Sequence, residues 1–167
     1  MTTHDITIHR GYLPGAIGRI TELHGTYYAP RWGLGLFFEA KVGSGLAEFM
    51  GRYDEAHDGL WLALDGEVII GGIVIDGLKA ATEGARLRWF IIDPAYQGRG
   101  VGRRLMGVAV DFCRASHFKR VYLTTFAGLD SARHLYEQVG FRLIEQEVGD
   151  QWGTVLTEQK FEWLLSE

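Results

Sequence analysis

The chain has a single cysteine, Cys113, so it holds no intrachain disulfide, and a reducing compartment is expected. No apolar run is long enough to span a bilayer. The opening residues 1–5 carry neither a basic nor an apolar region, so no signal peptide is expected and a cytoplasmic location is. Positive charge is not in excess: the formal charge of −4 argues against a general nucleic-acid surface, although Arg99, Arg103 and Arg104 cluster locally. Neither nucleic acid nor membrane is expected as a partner. Asp54, His57 and Asp58 lack the spacing of metal ligands, read as loop residues, and no metal is expected. No repeat or low-complexity linker divides the chain, so residues 1–167 are expected to form one domain, and a 47% hydrophobic content suffices for a real core.

What the chain does have is a concentrated glycine signal. Ile91-Ile92-Asp93-Pro94-Ala95-Tyr96-Gln97-Gly98-Arg99-Gly100-Val101-Gly102 reads as an apolar strand, a proline stop, a glycine-rich loop and the start of a helix. Backbone N–H groups converging in such a loop, with a helix dipole behind them, make an anion site. Glycine lets the backbone approach a ligand without Cβ atoms in the way.

The remaining elements follow from periodicity. Ile6 and Ile8 alternate with polar residues, a short strand ended by Pro14-Gly15. Ile17, Ile20, Leu23 and Tyr27 predict a helix that stops before Pro30. Phe38, Val42, Leu46, Phe49 and Tyr53 predict a second. Gly43 and Gly45, each costing about 1 kcal/mol in a helix, are expected to break that one and leave the region mobile. Leu60–Leu64 and Val68–Ile75 form a hairpin about Asp65-Gly66, with a bulge or close approach at Gly71-Gly72. Leu87–Ile92 leads into the glycine-rich loop. Val101, Leu105, Val108 and Phe112 mark the buried stripe of the next helix, with Cys113 beside it as an inert core residue and Arg103 and Arg104 at its surface. Val121–Phe126 is a strand. Asp130 caps a helix through Ala132, Leu135, Tyr136 and Val139 that ends at Gly140, with His134 facing solvent. Phe141–Val148 and Thr154–Leu164 form a last antiparallel pair. The fold class is α/β in the order β-α-α-β-β-β-α-β-α-β-β.

A dinucleotide fingerprint would need a third glycine where Arg103 stands, and a P-loop would need Gly-Lys-Ser/Thr, which is absent. What is present, Gln97-Gly98-Arg99-Gly100-Val101-Gly102, resembles the [Arg/Gln]-x-x-Gly-x-[Gly/Ala] pyrophosphate signature of the GCN5-related N-acetyltransferases (GNAT). Ala132-Arg133-His134-Leu135-Tyr136-Glu137-Gln138-Val139-Gly140-Phe141 is similar to that family's second element, in its order and at its usual separation. Leu87-Arg88, Asp150-Gln151-Trp152-Gly153 and Leu156-Thr157 more narrowly resemble the acetyltransferase half of MarR–GNAT fusion regulators, with nothing like their winged-helix half.

The resemblance implies a mixed, strongly twisted sheet of about seven strands flanked by about four helices. It also implies acetyl-CoA as co-substrate and transfer of its acetyl group to an amine. Phe90, Ile91, Ile92, Gln97, Gly98, Arg99, Gly100, Val101, Gly102, Arg103 and Ser131 are then the expected coenzyme contacts. A backbone N–H near Ile92 would polarise the thioester carbonyl, and Tyr136 would protonate the leaving thiolate. Many family members carry a carboxylate base on the strand before the loop. Here Arg86 and Arg88 occupy those positions, Glu83 and Glu39 are placed by no motif, and a water relay stands as the other route. Arg88 reads first as a salt-bridge residue, and its planar fork also suits a substrate carboxylate. Tyr27, Tyr28, Trp32, Phe37 and Phe38 form an aromatic cluster, chiefly core, from which Tyr27, Trp32 and Phe38 join Arg88 as expected walls of the acceptor pocket. Trp152 fits core, pocket rim or dimer contact. The expected acceptor is a small-molecule amine, amino-acid-like, handled by a monomer or homodimer. The missing strand carboxylate keeps a non-catalytic CoA-binding module as an alternative, and a protein N-acetyltransferase is another.

Overall fold

The computed structural model describes residues 5–165. In chain order the elements are β1 (Ile6–Arg10), α1 (Ala16–Trp32), α2 (Leu36–Gly51), β2 (Gly59–Asp65), β3 (Val68–Asp76), β4 (Ala85–Ile92), α3 (Val101–Ala115), β5 (Arg120–Phe126), α4 (Asp130–Val139), β6 (Arg142–Gly149) and β7 (Leu156–Leu164), with a 3₁₀ turn at Pro94–Tyr96. The strands form one seven-stranded sheet in the order β1-β2-β3-β4-β5-β7-β6. Every neighbouring pair is antiparallel except β4 and β5, which run parallel. Helices α3 and α4 bury their apolar stripes on one face, against Ile73, Leu87, Leu123 and Phe161. Helices α1 and α2 cover the other, against Leu60, Leu62, Val74 and Ile91.

Two bulges decide which side chains face which layer. Opposite β2, the pairing steps from Ala63–Gly71 to Leu64–Ile69, so Ile70 is the extra residue. Opposite β3, β4 gains a residue between Arg88 and Ile91, where Trp89 takes a φ of 47°. Because strand side chains alternate with period two, each extra residue flips the faces that follow. Ala85 and Leu87 therefore lie in the α3/α4 layer, while Trp89 and Ile91 lie in the α1/α2 layer. Gly71 serves both expected purposes at once, since a Cβ there would lie 2.8 Å from the Ile91 carbonyl oxygen.

Four local expectations are corrected. Helix α1 runs through Pro30 for a further half-turn and ends at Gly33, whose φ of 68° lets its N–H donate to the Ala29 carbonyl. Packing of Trp32 edge-on to Phe126, with centroids 5.1 Å apart, holds that last turn against the proline's missing donor. Helix α2 is continuous, not broken at Gly43 and Gly45. Those glycines are contact points: a Cβ on Gly45 would lie 2.8 Å from the Trp89 ring, and one on Gly43 would lie 3.4 Å from Thr21. Close packing offsets their intrinsic cost. At α4, Leu129 takes the N-cap position without a side-chain hydrogen bond, and Asp130 sits in the first turn, where its charge suits the helix dipole. On α3 the buried stripe runs Val101, Leu105, Ala109, Cys113, so Cys113 belongs to it, and Val108 and Phe112 flank it. Among the described residues, no helix is long and apolar enough to cross a membrane.

Candidate active site

The sheet opens at its centre. β4 and β5 share only the pairs Ala85–Val121 and Arg86–Tyr122, so β4 from Leu87 onward has no strand partner on that side. The opening is a cleft of about 810 Å³. Phe90, Ile91 and Ile92 line one wall, and Leu129, Ser131, Ala132 and Leu135 line the other. At its end stand Gln97, Gly98, Gly100, Val101, Gly102 and Arg103. Gly98 and Gly100 have φ of 81° and 77°, the left-handed region that favours glycine, and Gly100 is the N-cap of α3. Among the described residues, the N–H groups of Gly98 to Gly102 make no backbone hydrogen bond outside the helix. Free donors at a helix N-terminus are what an anionic group needs. Arg99 stands outside this lining: its guanidinium lies over the Tyr96 ring, 5.1 Å from the centroid.

A second cavity, of about 150 Å³, lies between β4, β5, α1, α2 and the β6–β7 loop. Phe38 and Arg88 line it, together with His24, Tyr28, Lys41, Arg86, Thr124, Tyr136 and Trp152. Tyr27 and Trp32 do not; they line the larger cleft, where Trp32, on the part of α1 beyond Pro30, packs against Gly128. Tyr28, Phe90, Leu129 and Ala132 border both spaces, which therefore meet beside Tyr136. The aromatic wall is continuous: Tyr28 contacts Phe38 and Phe126, and Phe126 contacts Trp152, at 5.2–5.8 Å between centroids. Phe37, by contrast, is exposed.

Tyr136 is 6% exposed and packs on Phe90, Phe141 and Phe161. Burial pushes its hydroxyl pKa up, so it stays protonated through the neutral range. Arg88 donates to Asp76 at 3.0 Å and stacks on Trp89, while Arg52 holds the same carboxylate through two hydrogen bonds. The expected salt bridge is thus present. Arg86 donates to Thr124 Oγ1 at 3.2 Å, and its buried Nε has no partner among the described residues. Lys41 donates to the Gln151 carbonyl at 2.7 Å, and desolvation and Arg86 both lower its pKa. Among the described residues, no carboxylate lines this cavity. Asp54, His57 and Asp58 form a closed loop instead, with Asp58 accepting from the N–H groups of Asp54 and Gly77. Among the described residues, no group of three or more His, Cys, Asp or Glu side chains is gathered to hold a metal ion.

His24 is the residue that periodicity alone did not mark. It is 5% exposed, and its Nδ1 bonds to the Ile20 carbonyl at 2.8 Å, which makes Nδ1 the protonated nitrogen and leaves Nε2 with a lone pair. Burial lowers its pKa from 6.5 to about 4. The folded chain therefore binds this proton more weakly than the unfolded chain. His24 favours the fold fully above pH 6.5, and this contribution is lost as pH falls toward 4, about 3 kcal/mol in all. Thermal melts of a His24→Gln variant between pH 7 and pH 4 should show a shallower acid loss of Tm than the parent. An identical slope would remove His24 as its source.

The family model described as Acetyltransferase (GNAT) family matches residues 19–141. An uncharacterized N-acetyltransferase of Escherichia coli, YjgM, is 31% identical over 105 residues, 62% of this chain and 63% of that protein. The N-alpha-acetyltransferase RimI of Mycobacterium tuberculosis is 47% identical over 53 residues, 32% of each. The matches thus span less than two thirds of either relative. In fold, an acetyltransferase from Streptococcus agalactiae superposes with a TM-score of 0.72 at 22% identity, covering 99% of this chain and 100% of that one. The yncA protein of Salmonella typhimurium, solved with its cofactor acetyl-CoA, gives 0.74 at 17% identity, covering 97% and 95%. The narrower likeness to MarR–GNAT fusion regulators finds no support among these matches.

Proposed function

The chain belongs to the acetyltransferase (GNAT) family, and from that membership we propose that it is an acetyl-CoA-dependent N-acetyltransferase acting on the amine of a small, amino-acid-like molecule. The observation that carries this reading is the meeting of two cavities beside Tyr136, one ending in free backbone donors and the other walled by cations and aromatic rings. The N–H groups of Gly98 to Gly102, with the positive end of α3, hold the pyrophosphate of the coenzyme. A backbone N–H of β4 near Ile92, left without a strand partner, polarises the thioester carbonyl. The amine nitrogen attacks the carbonyl carbon. As the C–N bond forms and the C–S bond breaks, the sulfur leaves with the electron pair and takes the Tyr136 proton, and the extra proton on the acylated nitrogen passes through water back to the Tyr136 oxygen, which yields the neutral amide and restores the phenol. An ammonium of pKa about 10.4 has no lone pair, so the acceptor first gives up a proton to water. Lys41, Arg86 and Arg88 favour an acceptor that carries a carboxylate.

The test mixes the protein with acetyl-CoA and a panel of amino acids, polyamines and peptides, and follows free thiol. Amine-stimulated release, largest for amino acids, is the expected result. Tight acetyl-CoA binding with no stimulated release from any amine would instead make the chain a coenzyme-binding module. Release stimulated only by peptides would make it a protein N-acetyltransferase.

A further inference from the structure

The smaller cavity carries more positive charge than its surroundings neutralise. Asp76 is shared by Arg52 and Arg88, and Arg52 also pairs with Glu48, so that group is balanced only through a carboxylate at the surface. Glu158 lies behind Lys41, but its two oxygens accept from the backbone and side chain of Gln151, and Lys41 bonds only a neutral carbonyl. Arg86 has no carboxylate partner at all among the described residues; it meets a threonine hydroxyl and the face of Tyr122. Its buried Nε–H is unsatisfied, which costs free energy until an acceptor arrives. The charges also feel one another: Arg86 disfavours the protonated forms of both Lys41 and Arg88. Against the cations Lys41, Arg52, Arg86 and Arg88 stand the carboxylates Glu48, Asp76 and Glu158, which leaves one positive charge, that of Arg86, in surplus.

Resting on the acetyltransferase reading above, we propose that the acceptor is an amino acid with two carboxylates, of the aspartate or glutamate class. One carboxylate meets the planar fork of Arg86, where Nε and a terminal nitrogen can donate side by side. The other meets the Lys41 ammonium. With its ammonium protonated such a molecule carries one net negative charge, which cancels the surplus, and the carboxylate at Arg86 satisfies the orphaned Nε–H. Size agrees: a cavity of about 150 Å³ takes a compact molecule and not a folded peptide segment. Polyamines fail on charge.

Calorimetry on the full chain saturated with CoA gives a readout that does not depend on catalysis. Aspartate or glutamate should bind at least about 30-fold more tightly than asparagine, glutamine or alanine, in line with the worth of a charged hydrogen bond. In turnover with acetyl-CoA, kcat/KM should follow the same order. Lys41→Met, at an exposed position on α2, and Arg86→Gln should each shrink the acid-over-amide ratio about tenfold, with the acetyl-CoA Kd unchanged as proof of folding. Equal binding of acid and amide, or a ratio that survives both substitutions, would overturn the proposal. If the acids bind selectively but no amine releases thiol, the anion site stands and the acetyltransferase reading falls.

Discussion

Tyr136→Phe should lower kcat about 100-fold while the Kd for acetyl-CoA stays within about a factor of two. Only the hydroxyl is removed. The ring keeps its contacts with Phe90, Phe141 and Phe161, so neither the core nor the cleft wall changes. The raised pKa of this phenol does not unfit it for donation. The same dry surroundings disfavour the departing thiolate, whose reference pKa is about 8.5, so the affinities of the two groups for the proton rise together. Steady-state kinetics beside a calorimetric titration separate chemistry from binding. An unchanged kcat would transfer the acid role elsewhere, and Tyr28, whose own pKa is raised in part by Tyr136 and which borders both cavities, would be the first residue to exchange next.

The second large effect concerns the donors at the other end of the cleft. Valine at both Gly100 and Gly102 should weaken acetyl-CoA binding at least about 100-fold. At Gly100 the φ of 77° is costly for any side chain, about 1–2 kcal/mol and more for a β-branched one. At Gly102 a Cβ would lie 3.0 Å from Ile92 and 3.3 Å from Leu135, so the side chain presses into the cleft walls. The backbone of the loop must shift, and the N–H groups no longer converge. Because Gly100 caps α3, a thermal melt accompanies the titration. A cooperatively folded variant that binds acetyl-CoA normally would remove this loop as the pyrophosphate site.

Local signals in the chain were enough to order every strand and helix correctly. The glycine-rich loop, the Tyr136 helix and the Asp65-Gly66 hairpin depend on residues adjacent in sequence, and such patterns are legible. The expectations that failed depend on contacts between distant segments. Gly43 and Gly45 look like helix breakers until Thr21 and Trp89 are seen against them. Pro30 looks like a stop until Trp32 is seen on Phe126. The smaller cavity is the extreme case. His24, Lys41, Arg86, Thr124 and Trp152 come from five separate parts of the chain, and no periodicity links them. The β4 bulge adds to this, since one extra residue reverses which side chains reach the cavity.

The two-pair contact between β4 and β5 also bears on how long the protein lasts. Where the strands part, the β4 backbone from Leu87 onward is left open to the cleft. A ligand that binds only the folded chain adds RT ln(1 + [L]/Kd) to its stability, about 2.7 kcal/mol at a hundredfold excess over Kd. With acetyl-CoA in that gap, resistance to unfolding and to proteolysis would rise and fall with the supply of the coenzyme. Abundance of the protein would then track the coenzyme that the proposed reaction draws on.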